Sequence, residues 1–335
     1  MSDFPLRSFT LGPLTVYAFG LVLAIGGLAA FALLWLEGRK LHRPAGSATG
    51  LMALCLLLGL ALSRLVYALL QPQQLFFDPV EGGYLGLWPL LALTGGGFSL
   101  VGLLLGLLLA GWLHARLSGA EVADTLDWLA QPLALFVCAL RFGQLLAGAG
   151  YGGEVWEEQF QRLPFAVENS FGEWYLAVFL LEGLLMLLIL LYLQRGRRLH
   201  ARPGDQMLRL LTLFLASLIF TESLRQDKIL RLEGNSFIRL NQLLGLAGLI
   251  IILLMLTRRL LRSGLSKQVA LLWAALLLAC AGVMAAEFNE KLPVNYALLY
   301  GLSALGLLVL SVVVLRALRL SASAAPPLPM KASET

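Results

Sequence analysis

Nine apolar stretches, each about long enough for one helix to cross a bilayer, divide this chain, and the loops between them carry positive charge on alternate sides. The stretches are predicted at about 14–36, 47–70, 97–117, 123–146, 173–194, 207–225, 239–260, 267–286 and 294–318, most of them near the ~20 residues that span hydrocarbon as a helix. Backbone N–H and C=O groups in hydrocarbon must be paired within the protein, which leaves helices and closed barrels. Uninterrupted Leu, Ala and Val runs are not barrel strands. The expected fold is an all-α, polytopic transmembrane helical bundle of about nine spans.

The loop charges orient it. Of the 25 Lys and Arg residues, 16 fall in alternate connections: Arg39, Lys40 and Arg43; Arg116; Arg195, Arg197, Arg198, Arg202 and Arg209; Arg258, Arg259, Arg262 and Lys267; and Arg316, Arg319 and Lys331. Seven lie on the other side, with the acids Asp78, Glu81, Glu154, Glu157, Glu158 and Glu168. Basic loops stay in the cytoplasm, so the N-terminus is expected outside and the C-terminus in the cytoplasm. Single cysteines test this. In intact cells Glu157→Cys should react with an impermeant thiol reagent and Arg198→Cys should stay silent; the reverse labelling would invert the bundle.

A hydrophobic fraction of 59%, 13% charged residues and a mean hydropathy of +0.81 lie outside the soluble range of roughly 45–50% apolar and 25% charged. A net charge of +5 invites a nucleic-acid reading, but the basic residues form short clusters beside helix ends. Topology and anionic lipid account for them, and no nucleic-acid partner is implied. Cys55, Cys138 and Cys280 lie inside predicted helices without paired spacing, which points to buried structural thiols. The sequence suggests no metal or cofactor: no HExxH or clustered acidic pattern is present, nor a Gly-x-Ser-x-Gly elbow. His42, His114 and His200 fall at cytoplasmic connections and are read as solvated loop or helix-end residues.

The first apolar run lacks a signal peptide's flanks and is expected to persist as a span. Residues 321–335, rich in Pro, Ala and Ser, are expected to form a disordered cytoplasmic tail. No repeat of helix groups is visible, which weakens a transporter built from repeats. Two external connections, about 71–96 and 147–172, exceed simple turns; in the first, Leu85 to Leu91 is placed at the interface with Trp88 at headgroup depth.

Ionisable groups at membrane depth are costly and mark functional sites by default. Arg64 shares a helix face with Tyr67, three residues on. Arg141 precedes Phe142-Gly143 and the glycine run Gly148, Gly150, Gly152 and Gly153. Glu182 lies inside the fifth span, and Glu222 and Arg225 are one turn apart near the end of the sixth. Each has a plainer alternative. Arg64 and Glu182 could neutralise one another as a structural ion pair; Glu222 and Arg225 could pair locally or reach outward; Arg141 could be an interfacial arginine extended to the headgroups. Against that, a guanidinium beside a glycine-rich external loop suits bidentate recognition of a lipid phosphate.

Taken in order, several pieces over about residues 10–262 resemble the prolipoprotein diacylglyceryl transferase family: Leu11-Gly12-Pro13 leading to Gly20, Ser63-Arg64-Leu65 with Tyr67, Gly96-Gly97 before Ser99 and Gly102, Asp127 and Pro132, Arg141-Phe142-Gly143 with Gly152, Glu182-Gly183, Glu222 with Arg225, and Asn241-Gln242. The resemblance implies transfer of a diacylglyceryl group from phosphatidylglycerol to the lipobox cysteine of a preprolipoprotein, at the external face of the cytoplasmic (inner) membrane. It makes Arg141 the phosphate-binding arginine, with Glu182, Glu222 and Arg225 as its catalytic companions. Arg64, Tyr67, Gly96, Gly97, Ser99, Gly143, Gln144, Gly152 and Gln242 become substrate-binding candidates.

The chain also departs from the family pattern. Where the family carries Phe-His-Gly-Gly, it has Leu100-Val101-Gly102-Leu103, without the histidine. Gln144 replaces the asparagine of the family's Arg-x-Gly-Asn, and Ala147 and Ala149 replace the asparagine and glutamate that follow. Phe19 stands for a tyrosine, Leu218 for a second arginine four residues before Glu222, and Gly172-Glu173-Trp174-Tyr175 for His-Pro-x-Gln. The eighth and ninth spans exceed the family's seven. The chain therefore reads as a transferase-like domain over 1–262, two additional helices over 263–320 and the tail. Its function is read as divergent diacylglyceryl transfer, with absent or weak standard activity. A non-catalytic phospholipid-binding paralogue and a small-molecule transporter are the alternatives.

Overall fold

The computed structural model describes residues 8–12, 14–44, 46–77, 82–92, 96–196, 202–226, 239–287 and 296–323. A hairpin, β1 (Ser8–Leu11) with β2 (Leu14–Tyr17), leads into α1 (Ala18–Lys40) and α2 (Ser47–Leu70). A short turn of helix α3 (Pro72–Phe76) and a 3₁₀ turn (Trp88–Leu90) precede α4 (Leu100–Ser118) and α5 (Val122–Ala147). The next loop holds α6 (Glu158–Gln161) and a hairpin of β3 (Ala166–Glu168) with β4 (Trp174–Leu176). Then follow α7 (Val178–Gly196), α8 (Asp205–Leu224), α9 (Leu240–Arg262), α10 (Ser266–Glu287) and α11 (Tyr296–Ser323). Among the described residues nine of these helices are long and apolar enough to cross a membrane, and the chain is a multi-pass membrane protein.

The largest shifts of a span start are at α1 and α7. Residues 14–17 and 174–176 pair as strands, so α1 starts at Ala18 and α7 at Val178. A short apolar run reads alike as strand or helix end, and only its hydrogen-bonding partner decides. Helix α11 continues to Ser323, three residues into the predicted tail; residues 324–335, like His200 and Asp78, lie outside the described residues. His114 is a correction: it is buried inside α4, 3.3 Å from Ser47 Oγ and edge-on to Trp128, because its helix face packs on α2 and α5. Cys55 and Cys138 are buried and Cys280 half-buried.

Lipid tails are as apolar as leucine, so helices in a bilayer associate through close packing of small residues. Helix α4 does this against α2. A Cβ at Gly102 would fall on the Leu62 carbonyl oxygen, and one at Gly106 on that of Leu58. Helices α1, α7 and α8 pack on α5, and α9 packs on α8. Helices α10 and α11 pair with one another and dock on α8 and α9, sealing the core at Leu253, Leu272 and Leu310. At the opposite end from the candidate site, Asp127 accepts from the backbone N–H of Gly204 (2.7 Å) and Met207 (2.8 Å). A carboxylate placed there satisfies orphan donors of α8's first turn and meets the positive end of its dipole.

Candidate functional site

The site begins where α5 and α7 touch. Gly183 has no Cβ, and one built there would come within 2.8 Å of the Phe142 ring. That close approach sets the preceding residues of both motifs against each other: Arg141 Nη1 lies 2.9 Å from Glu182 Oε2, with both residues buried. Arg141 also donates to Gln144 Oε1 at 3.3 Å. Gly143 sits against Phe19 and Val22 of α1. Past the α5 end the chain turns at Gly148 and Gly150, with φ of 62° and 84°, values at which glycine costs no steric strain. A Cβ at Gly150 would meet Phe179, Gln144 and Arg225. Gly152 donates to the Leu176 carbonyl at 2.7 Å and bridges to Arg225.

The third component comes from α8. The i,i+3 spacing of Glu222 and Arg225 suggested a local pair, but α8 ends at Leu224, and Arg225 takes extended dihedrals (φ −75°, ψ 142°). Freed from the helix, its Nη1 lies 3.4 Å from Glu182 Oε2. Thr221 Oγ1 donates to Glu182 Oε1 at 2.9 Å. One carboxylate thus holds two guanidiniums, and the trio carries one net positive charge. Glu222 stands beside it: its Oε1 accepts from Asn241 Nδ2 at 3.1 Å, while Oε2 meets no donor among the described residues. Gln242, from the start of α9, lies 2.8 Å from Ser223 Oγ.

Arg64 belongs to a second cluster, and the alternative of an Arg64–Glu182 ion pair is corrected. Its guanidinium donates to the carbonyls of Gly96, Gly97, Pro89 and Ala92 and stacks over Phe98. Among the described residues no carboxylate pairs with this cation; carbonyl dipoles neutralise it, and the loop before α4 is wrapped around it. Gly97, at φ +77°, leaves room for Arg64 and for Tyr67, whose hydroxyl reaches Gln74 at 3.1 Å. Ser99 caps α4, accepting from Gly102 N at 3.3 Å. Arg64, Tyr67, Gly96, Gly97 and Ser99 therefore shape the loop before α4, whereas Arg141, Gly143, Gln144, Gly152, Glu182, Glu222, Arg225 and Gln242 gather around the ends of α5, α7 and α8.

Sequence reasoning missed Thr221, Asn241 as a partner of Glu222, and Arg239. Thr221 carries no charge and so escapes a search for membrane-depth ions. Arg239 sits at a span end, where an arginine ordinarily reaches the headgroups; here it donates to the carbonyls of Glu222 and Arg225. A separate apolar cavity of about 550 Å³ lies between α4, α5, α8 and α9, with Val101, Leu105, Leu211, Leu215, Ile251 and Met255 among its walls. Its walls are hydrocarbon apart from Arg259 at one end, and none of Arg64, Arg141, Glu182, Glu222 and Arg225 lines it.

A family model described as prolipoprotein diacylglyceryl transferase matches residues 7–258. Relatives named phosphatidylglycerol--prolipoprotein diacylglyceryl transferase, from Bacillus cereus (strain G9842), Bacillus thuringiensis subsp. konkukian (strain 97-27) and Bacillus anthracis (strain CDC 684 / NRRL 3495), are each 24% identical over 225 residues, covering 66% of this chain and 80% of theirs. The matched region contains both clusters and stops within α9.

Proposed function

The chain belongs to the prolipoprotein diacylglyceryl transferase family, and from that premise we propose that it moves the diacylglyceryl group of phosphatidylglycerol to the thiol of a lipobox cysteine, at the external face of the cytoplasmic membrane. In this reaction the sulfur attacks the diacylglycerol carbon bonded to the phosphate ester oxygen. A carbon–sulfur bond forms, the carbon–oxygen bond breaks, and glycerol phosphate leaves. The phosphate passes from one negative charge toward two, so cations beside it bind the transition state more tightly than the ground state.

The observation that carries this reading is the buried Arg141–Glu182–Arg225 trio, which holds two guanidiniums on one carboxylate at the ends of three helices. Arg141 and Arg225 are the groups that face the phosphate; Glu182 sets the angle between them. Glu222, with Oε1 held by Asn241 and Oε2 buried without a donor among the described residues, is the group that takes the thiol proton. By the resemblance, Val101 stands at the family's histidine position and Leu218 at that of its second arginine; Val101 lines the apolar cavity and Leu218 is buried in the core. These two positions favour slow turnover, and they are the specific support for the second reading, a phospholipid-binding paralogue without catalysis.

The test uses the full chain in phosphatidylglycerol vesicles with a lipobox peptide. We expect slow accumulation of thioether-linked diacylglyceryl peptide and matching release of glycerol phosphate, with no product in phosphatidylethanolamine vesicles. Bound phosphatidylglycerol without product would replace the transfer reading with the binding one.

A further inference from the structure

Helix α10 lies beyond the family-matched residues 7–258, yet its last residue reaches into the support of the site. Glu287 Oε1 accepts from Gln242 Nε2 at 2.8 Å, and Glu287 Oε2 lies 3.8 Å from Arg239 Nε. Gln242 and Arg239 both grip the end of α8: Gln242 reaches Ser223 Oγ at 2.8 Å, and Arg239 donates to the carbonyls of Glu222 and Arg225. A helix C-terminus leaves its last carbonyls without intrahelical donors, and a cation there satisfies them and opposes the dipole.

We propose that Glu287 is a positioning residue for the site: through Arg239 and Gln242 the added helix pair fixes the end of α8, and with it the aim of Arg225 at Glu182. Arg225 lies one residue past α8 in extended conformation, its N–H bonded to the Glu222 carbonyl at 3.2 Å, so its direction follows the helix end that Arg239 and Gln242 hold. Glu287 is the one carboxylate in α10. It pairs with Arg239, whose other partners among the described residues are carbonyls, and accepts from the Gln242 amide, which also donates to Ser223 Oγ and, at 3.3 Å, to the Ile219 carbonyl. The added helices thereby act on a site built entirely from the family-matched region.

This inference rests on the transfer reading for its kinetic consequence, while its geometric consequence stands without it. Glu287→Gln removes the charge and keeps an acceptor for Gln242, Glu287→Ala removes both, and Glu287→Asp retains the charge on a shorter stem. In phosphatidylglycerol vesicles with lipobox peptide, the alanine variant should lose on the order of tenfold in kcat with KM changed less than about twofold. Gln should fall between Ala and parent, and Asp should recover part of the loss.

Amide hydrogen exchange over Ser223 to Gln226 should quicken in the alanine variant while α2 keeps its protection. A lowered melting temperature with parental kcat, or unchanged exchange over that segment, would overturn the positioning role. If the parent itself shows no turnover, the transfer reading fails, and the exchange measurement alone decides on Glu287.

Discussion

Arg141→Lys should lower turnover on phosphatidylglycerol about a hundredfold, and Arg141→Ala about a thousandfold. Lysine keeps the charge but replaces a planar fork with a single ammonium, which cannot span Glu182 and Gln144 while still presenting N–H groups to a phosphate. Arg141 is only 3% exposed, so the alternative in which it extends to the headgroups does not describe it. Rates with lipobox peptide, alongside native mass spectrometry of co-purified lipid, measure the effect. Parental turnover in the lysine variant, with equal phosphatidylglycerol occupancy in all three proteins, would remove Arg141 from the site.

Glu182→Gln carries the largest expected stability loss. The carboxylate is 5% exposed and contacts Arg141, Arg225 and Thr221; a neutral amide removes the one carboxylate that both guanidiniums share. Breaking a buried pair by removing one partner costs about 3–5 kcal/mol, which for a protein of this size lowers the melting temperature by roughly 5–10 °C. Removing one of the cations as well, in Glu182→Gln with Arg225→Met, should restore part of the loss, because the two changes share one interaction. Thermal unfolding in detergent reads both. A single variant that melts within about 1 °C of the parent would show that the trio does not hold the bundle together.

Glycine motifs and charge positions were legible in the chain to different depths. Arg141-Phe142-Gly143 and Glu182-Gly183 could be marked as motifs, but that Gly183 admits the Phe142 ring and so brings the neighbouring charges together is a property of two packed helices. Arg64 carried the same signal as Arg141, an arginine inside an apolar run. It proved to anchor a loop through four carbonyls. Composition cannot separate a cation neutralised by dipoles from one neutralised by a carboxylate, since the carbonyls belong to residues of any type.

By itself the sequence determined the number of membrane-spanning helices, where most of them begin and end, and which ionisable groups lie at membrane depth. Hydropathy and charge are local quantities that sum along a segment, and hydrocarbon leaves a helical backbone little alternative. The tertiary structure decided the partners. Helix α8 stops at Leu224 and Arg225, one residue beyond, meets Glu182, while Glu287 closes on Arg239 and Gln242 from a helix outside the matched region. Such pairings join residues that the chain holds far apart, and they depend on how closely helix backbones approach one another, which only the packed bundle sets.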